Sequence, residues 1–540
     1  MPQQERVTNK PVKQSTSSSA YTTKIPASAW KVLIVLGSIT TMTMYAETML
    51  IPAIPDLIKD FHVSYSISSW ILTAYLTTAA VMTPIAGKLS DIYGKKKVLL
   101  TIMLIYAIGV SMAGFSTNIY FLLITRAIQG FGMSVFPIVF SIVRDKFPRE
   151  KMSIGNGIIS SLIGAGAVIG LMVGGTIIRS YGWQATFFTI IPIAITLLIT
   201  IWRFIHIDEQ KLGRKHHRQQ ALVTTETSDS RSSNNINNYN DNRKYGNNST
   251  IDIKGAITLA ITITSFLLVL TYLETGNSSS SSANNSSVIS GSTIQITGFV
   301  TTGAVSLLLF ILIERRSANP LIDFRLLLHK SILPSNLLIM IVGFSTFMIF
   351  QTVPIILRNP SPLGFGENAV SSGNVVLPFA LVFLVFGPTS GYIITKLGSL
   401  KPIIFGSIIA TGGFFGLLVF HSTEFLISTN LGILATGFSL TIVGVMNVVV
   451  LSTPKQYSGI SLGTTMLMRI VGSAIGPALA GMYMQSNQSI IDIGGIIQHL
   501  PSGESYNLIF ITGILLSVVS IILAILLRRR AIKMAIPNLV

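Results

Sequence analysis

The sequence predicts an all-α polytopic membrane protein of fourteen transmembrane helices, two six-helix bundles plus two inserted helices. Three observations carry that class. The 540 residues are 49% hydrophobic and only 11% charged, against roughly a quarter charged in soluble domains. The apolar residues fall in runs of about 20, the length that crosses a bilayer as a helix. Threading the runs alternately from an inside N-terminus puts 33 of the 38 lysines and arginines on one side, as the retention of basic loops in the cytoplasm requires.

The first six runs lie at about 30–52, 69–90, 98–116, 118–140, 153–177 and 184–204. A pair follows at about 253–273 and 293–313, and a last six at about 332–356, 368–394, 401–420, 425–449, 456–484 and 506–527. The first run is not expected to be a cleavable signal peptide, because a long polar stretch precedes it and no small-residue cleavage site follows. Only Lys59, Arg179 and Arg358 fall on the outer side, and Arg126 and Arg469 fall inside runs. The net charge of +18 is therefore a topology signal. No nucleic-acid partner is expected, while the basic loops suit anionic lipid. Both termini are expected in the cytoplasm, and the membrane to be a plasma or inner membrane.

The runs divide the chain into a cytoplasmic tail (1–29), a first bundle (30–204), a cytoplasmic loop (205–251), an inserted helix pair (252–314), a second bundle (315–527) and a basic cytoplasmic tail (528–540). The 205–251 loop is Asn/Ser-rich and is expected to be disordered. The inserted pair encloses an outer Asn/Ser-rich loop, 275–292, in which Asn277 and Asn285 stand in glycosylation sequons. Such tracts also produce sequons by chance.

Zero cysteines exclude a disulfide scaffold, thiolate metal sites and cysteine nucleophiles. The seven histidines form no metalloprotease-like array, so no metal is expected. No nucleotide-binding loop or catalytic triad appears, so neither an enzyme nor a cofactor is expected.

Two stretches recur. Gly87, Gly94 and Lys97 before the third run match Gly391, Gly398 and Lys401 before the eleventh, at an offset of 304. Gly166 and Gly170 in the fifth run match Gly472 and Gly476 in the thirteenth, at an offset of 306. Two coincidences at nearly one offset indicate two related six-span halves, an architecture common in transporters with a site between the halves.

Gly87, Leu89, Asp91, Gly94, Lys95 and Lys96, preceded by Trp70, Tyr75 and Pro84, match the cytoplasmic loop motif of the major facilitator superfamily. Leu123, Arg126, Gln129, Gly130 and Gly132 match its intramembrane arginine motif. The run Gly166, Gly170, Gly174 and Gly175 resembles the antiporter motif, with Leu171 where proline is usual. The fourteen-span layout resembles the drug:proton antiporter branch of that family. The resemblance covers most of the chain outside the tail and the two low-complexity loops, and implies a major-facilitator fold. A second departure is in the first run: Ala46 stands where the branch usually has aspartate, and the acid, Glu47, comes one residue later. One residue turns about 100° around a helix, so Glu47 is expected to face another sector.

Glu47 is the carboxylate placed well inside a run. Such a group is costly in hydrocarbon and is a functional candidate by default; the bland alternative is a structural ion pair. Arg126, at similar depth, is the expected partner, with proton and substrate competing for Glu47. Arg469 is a second intramembrane cation for which the sequence names no carboxylate. In the loop motif the glycines allow a tight turn, Asp91 can cap a facing helix, and Lys95–Lys97 face the inner surface. The resemblance implies a latch for the outward-facing state. Thr395 replaces the acid in the second copy, which should latch weakly. Gly164, Gly166, Gly170, Gly174 and Gly175 offer a smooth packing face, to which the resemblance adds control of leakage and state exchange. Tyr45, Tyr75, Gln129, Gln351, Asn374 and Asn447 are cavity candidates, each also able to serve as interhelical glue.

The function expected is proton-coupled export of amphipathic small molecules, cations included, by a monomer that alternates access and draws on the proton gradient. A proton-coupled nutrient symporter and a non-transporting sensor or scaffold are the alternatives.

Overall fold

A computed structural model describes residues 25–61, 63, 65–148, 151–204, 252–278, 286–317, 320–322, 324–453, 458–493 and 496–533. The expected tail at 1–24, the loop 205–251, residues 279–285 with Asn285, and 534–540 lie outside the described residues.

The first half contains α1 (Ala27–Thr48), the short α2 (Ile54–Phe61), α3 (Tyr65–Tyr93), α4 (Lys95–Ala113), α5 (Ile119–Gln129), α6 (Val135–Lys146), α7 (Met152–Tyr181) and α8 (Gln184–Phe204). The inserted pair is α9 (Ile253–Ser278) and α10 (Ser286–Arg316). After the short α11 (Phe324–Leu327), the second half contains α12 (Ile332–Arg358), α13 (Ala369–Leu397), α14 (Leu400–Val419), α15 (Glu424–Ser452), α16 (Ser458–Ser486) and α17 (Gly503–Lys533). With α5 and α6 counted as one broken span, these make fourteen spanning units. Among the described residues, thirteen helices are long and apolar enough to cross a membrane, and α9 contributes a shorter apolar stretch, Ile253–Phe266.

Four local features depart from the runs read off the sequence. The first run does not continue as one helix to residue 52. It stops at Thr48, turns through a 3₁₀ segment at Ile51–Ala53 and restarts as α2, because Pro52 has no N–H to give the Thr48 carbonyl. The fourth run is broken by a 3₁₀ segment at Gly130–Ser134 and extends to Lys146. Residues 275–278 and 286–292, placed in a loop by composition, are helical, since adding turns to an existing helix costs little even for polar residues. The chain is also not purely α: Gln488–Ile493 and Ile496–Pro501 form an antiparallel hairpin, with Gln488 opposite Pro501 and Ile493 opposite Ile496.

The halves meet along two antiparallel seams, α3 against α16 and α7 against α13, while α9 packs on α10 and on both α3 and α16. Glycine makes the seams close. A Cβ on Gly157 of α7 would lie 2.6 Å from the Gly387 carbonyl oxygen of α13, and one on Gly387 2.3 Å from Ser161 Cβ. We call the end carrying Lys95, Arg144 and Lys396 the basic face and the end carrying Arg358 and the hairpin the far face.

The repeat is physical. In α7, a Cβ on Gly166 would meet the Thr41 carbonyl oxygen at 2.4 Å and one on Gly170 the Tyr45 carbonyl oxygen at 2.7 Å. In α16, Gly472 and Gly476 bear the same relation to Met340 at 2.0 Å and Phe344 at 2.3 Å. Thr41 and Met340, like Tyr45 and Phe344, are 299 residues apart, so α1 on α7 and α12 on α16 are two copies of one packing unit in register. That register makes Thr346 the counterpart of Glu47. Gly94 and Gly398 both take left-handed φ, 93° and 75°, at the turns opening α4 and α14.

Candidate functional site

The helix break in α1 creates the acceptors that hold Arg126. A helix C-terminus leaves its last carbonyls without intrahelical partners and carries partial negative charge. Arg126 fills that end: Nη1 donates to the Ala46 carbonyl at 3.1 Å, and Nη2 to the Glu47 carbonyl at 3.5 Å. Nε donates to the Ile71 carbonyl of α3 at 3.1 Å, and Nη1 also to Gln129 Oε1 at 3.1 Å. Gln129 in turn donates to the Gly109 carbonyl of α4 at 3.3 Å. The guanidinium lies 4.5 Å from the centre of the Tyr75 ring, a cation–π contact. Gly130 permits the approach, since a Cβ there would fall 2.4 Å from the Tyr75 carbonyl oxygen. Arg126 is fully enclosed, at 0% exposure, and ties α1, α3, α4 and α5 together.

The expected ion pair between Arg126 and the Glu47 side chain is therefore replaced. The arginine holds the backbone of Glu47, and its donors are drawn to a helix end whose carbonyls had no other partner. The Glu47 carboxylate, also 0% exposed, has no hydrogen-bond partner on either oxygen. Among the charges that act on it, Arg469 of α16 comes first and Arg126 second. Arg469, which belongs to the second half, therefore acts on Glu47 from across the interface between the halves. It is 8% exposed, and its Nε has no hydrogen-bond partner. The hydroxyls of Tyr75 and Tyr106, both buried, also lack partners and lie within electrostatic reach of Glu47. The site is a buried acid, a buried base from the opposite half, and two phenols.

The antiporter-like glycines set the position of this acid. Gly166, Gly170 and Gly174 lie on one face of α7 against α1, where a Cβ on Gly170 would fall 2.1 Å from Thr48 Oγ1 and one on Gly174 2.6 Å from the Met49 carbonyl oxygen. Thr48 Oγ1 donates across the seam to the Ala167 carbonyl at 2.8 Å. Gly164 points to the other side, against Phe383 of α13, and Gly175 is buried. Leu171 leaves α7 unbroken from Met152 to Tyr181. Gly170→Ala is expected to cost about 1–3 kcal/mol, the range for overpacking, and to slow transport by displacing α1. Thermal unfolding and initial transport rate check it.

In the loop motif, Gly87 is buried and Gly94 supplies the left-handed turn. Lys95 pairs with Asp145 of α6 and donates to the Ser141 carbonyl at 3.2 Å. Lys96 donates to the Trp202 carbonyl of α8 at 2.9 Å. These two lysines thus bind neighbouring helices of their own half; Lys97 is the exposed one. The Asp91 side chain lies outside the described residues. Asp145, which the sequence reading passed over, is the motif's acidic partner here. Thr395, in the second copy, bonds only back to Tyr392 of its own helix, at 2.6 Å.

Contacts between halves exist at both ends. At the basic face, Arg144 Nη2 donates to the Thr453 carbonyl at 3.4 Å, and Gly463 sits against Pro84, where a Cβ would be 3.4 Å from its Cα. At the far face, Arg358 Nη1 donates to the Pro52 carbonyl at 2.8 Å, and its guanidinium lies 3.6 Å from Asp56. With contacts at both ends, Glu47 is fully covered. Arg358→Ala is expected to favour opening of the far face. The chain has no cysteine, so a reporter introduced by Thr346→Cys is unambiguous. Its labelling by an impermeant thiol reagent should rise about tenfold, the equivalent of one charge-assisted hydrogen bond.

The remaining candidates separate. Tyr45 shares a hydrogen bond of 3.0 Å with Thr189 of α8. Asn447 donates to Ser399 Oγ at 2.7 Å, tying α15 to the start of α14. Asn374 is exposed, and Gln351 is buried with Oε1 unpartnered.

The family model described as Major Facilitator Superfamily matches residues 36–477. The chain is 23% identical over 481 residues to the multidrug transporter protein MdtP of Bacillus subtilis, covering 87% of this chain and 79% of that one. It is 26% identical over 463 residues to vacuolar basic amino acid transporter 2 of Saccharomyces cerevisiae, covering 82% and 89%. The solved structure of the human organic anion transporter MFSD10 superposes with a TM-score of 0.60 at 14% identity, covering 92% of this chain and 100% of that one, a likeness of fold. On the family match, the paired halves and the arginine site, the chain belongs to the Major Facilitator Superfamily of membrane transporters.

Proposed function

We propose that the protein is a proton-coupled exporter that exchanges amphipathic small molecules for protons by alternating access, with its basic face and both termini in the cytoplasm. The observation that carries this reading is the Glu47 carboxylate, fully buried with neither oxygen hydrogen-bonded. A charge in that position is stable only when matched, so the acid must take a proton, a cationic group or the Arg469 guanidinium. These exclude one another, and exclusive occupancy of one acid by proton or substrate is what antiport requires. The two halves rock about the α3–α16 and α7–α13 seams, breaking the Arg144 contact on one side or the Arg358 contact on the other. Arg126 fixes the end of α1 and thereby the position of the acid; it takes no proton itself. The proton gradient supplies the energy. The names of the relatives, a multidrug transporter and a basic amino acid transporter, fit export of small nitrogenous molecules.

The test is proton movement in proteoliposomes holding a pH dye and an imposed gradient, with the lipophilic cations ethidium and tetraphenylphosphonium and a panel of amino acids. Protons counter to substrate in the wild type, absent in Glu47→Gln, support antiport. Protons moving with substrate identify symport and overturn it.

A further inference from the structure

Resting on the antiport reading, we infer that the substrate is a zwitterion, an amino-acid-like molecule whose ammonium is received by Glu47 of the first half and whose acid group is received by Arg469 of the second. The site contains two guanidiniums and one carboxylate, an odd composition for a carrier of plain cations. The two arginines are not equivalent. Arg126 spends its donors on the carbonyls of Ala46, Glu47 and Ile71 and on Gln129 Oε1, and its charge sits at the negative end of α1. It is part of the scaffold. Arg469 has a buried, unpartnered Nε, and Glu47 is the carboxylate that acts on it.

The backbone at Arg469 is held firmly. A Cβ on Gly343 of α12 would lie 2.3 Å from the Arg469 carbonyl oxygen, and Ser473 Oγ donates to that same carbonyl at 2.9 Å. The acid is as firmly placed by the seam of α1 on α7. Each member of the couple is therefore fixed to its own half.

Charge balance selects the ligand. A plain cation on Glu47 separates it from Arg469 and leaves a buried guanidinium with no counter-charge, which is strongly unfavourable. A plain anion on Arg469 strands Glu47 in the same way. A zwitterion inserted between them replaces one opposite-charge contact by two and leaves no charge alone. It also bridges the halves, as an occluded state requires. Protonating Glu47 removes the partner of the ammonium and leaves Arg469 without a counter-charge, a state that holds only while the site is open to water, so substrate and proton still compete.

The experiment uses the full chain in proteoliposomes containing a pH dye. The probes are the proteinogenic amino acids, their methyl esters (ammonium only), their N-acetyl derivatives (carboxylate only), and tetraphenylphosphonium. At least one amino acid should drive proton movement, with its ester and its N-acetyl form weaker by at least about tenfold in half-saturating concentration. Arg469→Gln should bring ester and parent to within about threefold of each other, while Arg469→Lys, which keeps the charge and guards against a folding failure, retains the preference. An ester or N-acetyl form as effective as its parent overturns the inference. Tetraphenylphosphonium exchanging for protons equally in wild type and Arg469→Gln, with no amino acid doing so, overturns it too but leaves antiport standing. No proton movement with any probe overturns both.

Discussion

Arg126→Ala is expected to unfold the first half about 10 °C below wild type and to leave little transport at permissive temperature. The loss removes a charged group making four hydrogen bonds, three of them to backbone carbonyls. Deleting one member of a buried charged network costs about 3–5 kcal/mol, and charge-assisted hydrogen bonds contribute about 1.5–3 kcal/mol each. About 4 kcal/mol in a unit the size of a six-helix bundle corresponds to roughly that temperature shift. Arg126→Lys should recover less than half of it, because one ammonium cannot reach acceptors spread over α1, α3 and α5. The check is thermal unfolding of detergent-purified protein, followed in each half by an introduced fluorophore. A wild-type midpoint for Arg126→Ala would mean that the α1 end is held by other contacts.

Glu47→Gln is expected to lower proton-coupled flux on the order of a hundredfold or more, since truncating a desolvated charge pair costs several kcal/mol and each 1.4 kcal/mol is a factor of ten. Moving the acid back one position is the sharper variant. Ala46→Asp combined with Glu47→Ala restores the residue order usual in the drug-antiporter branch but turns the acid about 100° around α1, away from Arg469. Flux should stay as low as in Glu47→Gln. Recovery would show that depth in the membrane matters for this acid and its facing does not.

Much of the fold was legible because its causes are local. Span number follows from run length and basic asymmetry, and the break after Thr48 was written in Pro52. The hairpin was also there to be read: Gly494 and Gly495, themselves outside the described residues, stand between two apolar stretches, a hairpin signal masked by proximity to a long span. The site was only half legible. Glu47, Arg126 and Arg469 stand out as ions in apolar runs, but their pairing does not. Arg126 and Glu47 are 79 residues apart, and the first chooses the other's backbone because a helix end offers unpaired carbonyls, which a list of side-chain charges does not contain. Glu47 and Arg469 are brought together only by closure of two halves, and no spacing in the sequence records that. Asp145 was missed for a related reason: an acid at the exposed end of α6 looks like ordinary interface charge until Lys95 is placed against it.

The central claim is that the Glu47 carboxyl gains and loses a proton within the transport cycle. Infrared difference spectroscopy of the reconstituted protein during a pH change tests it most directly, because a buried protonated carboxyl has its own carbonyl band. Wild type should show one such band that appears and disappears reversibly with pH and is missing in Glu47→Gln. Identical difference spectra for the two proteins would contradict the claim.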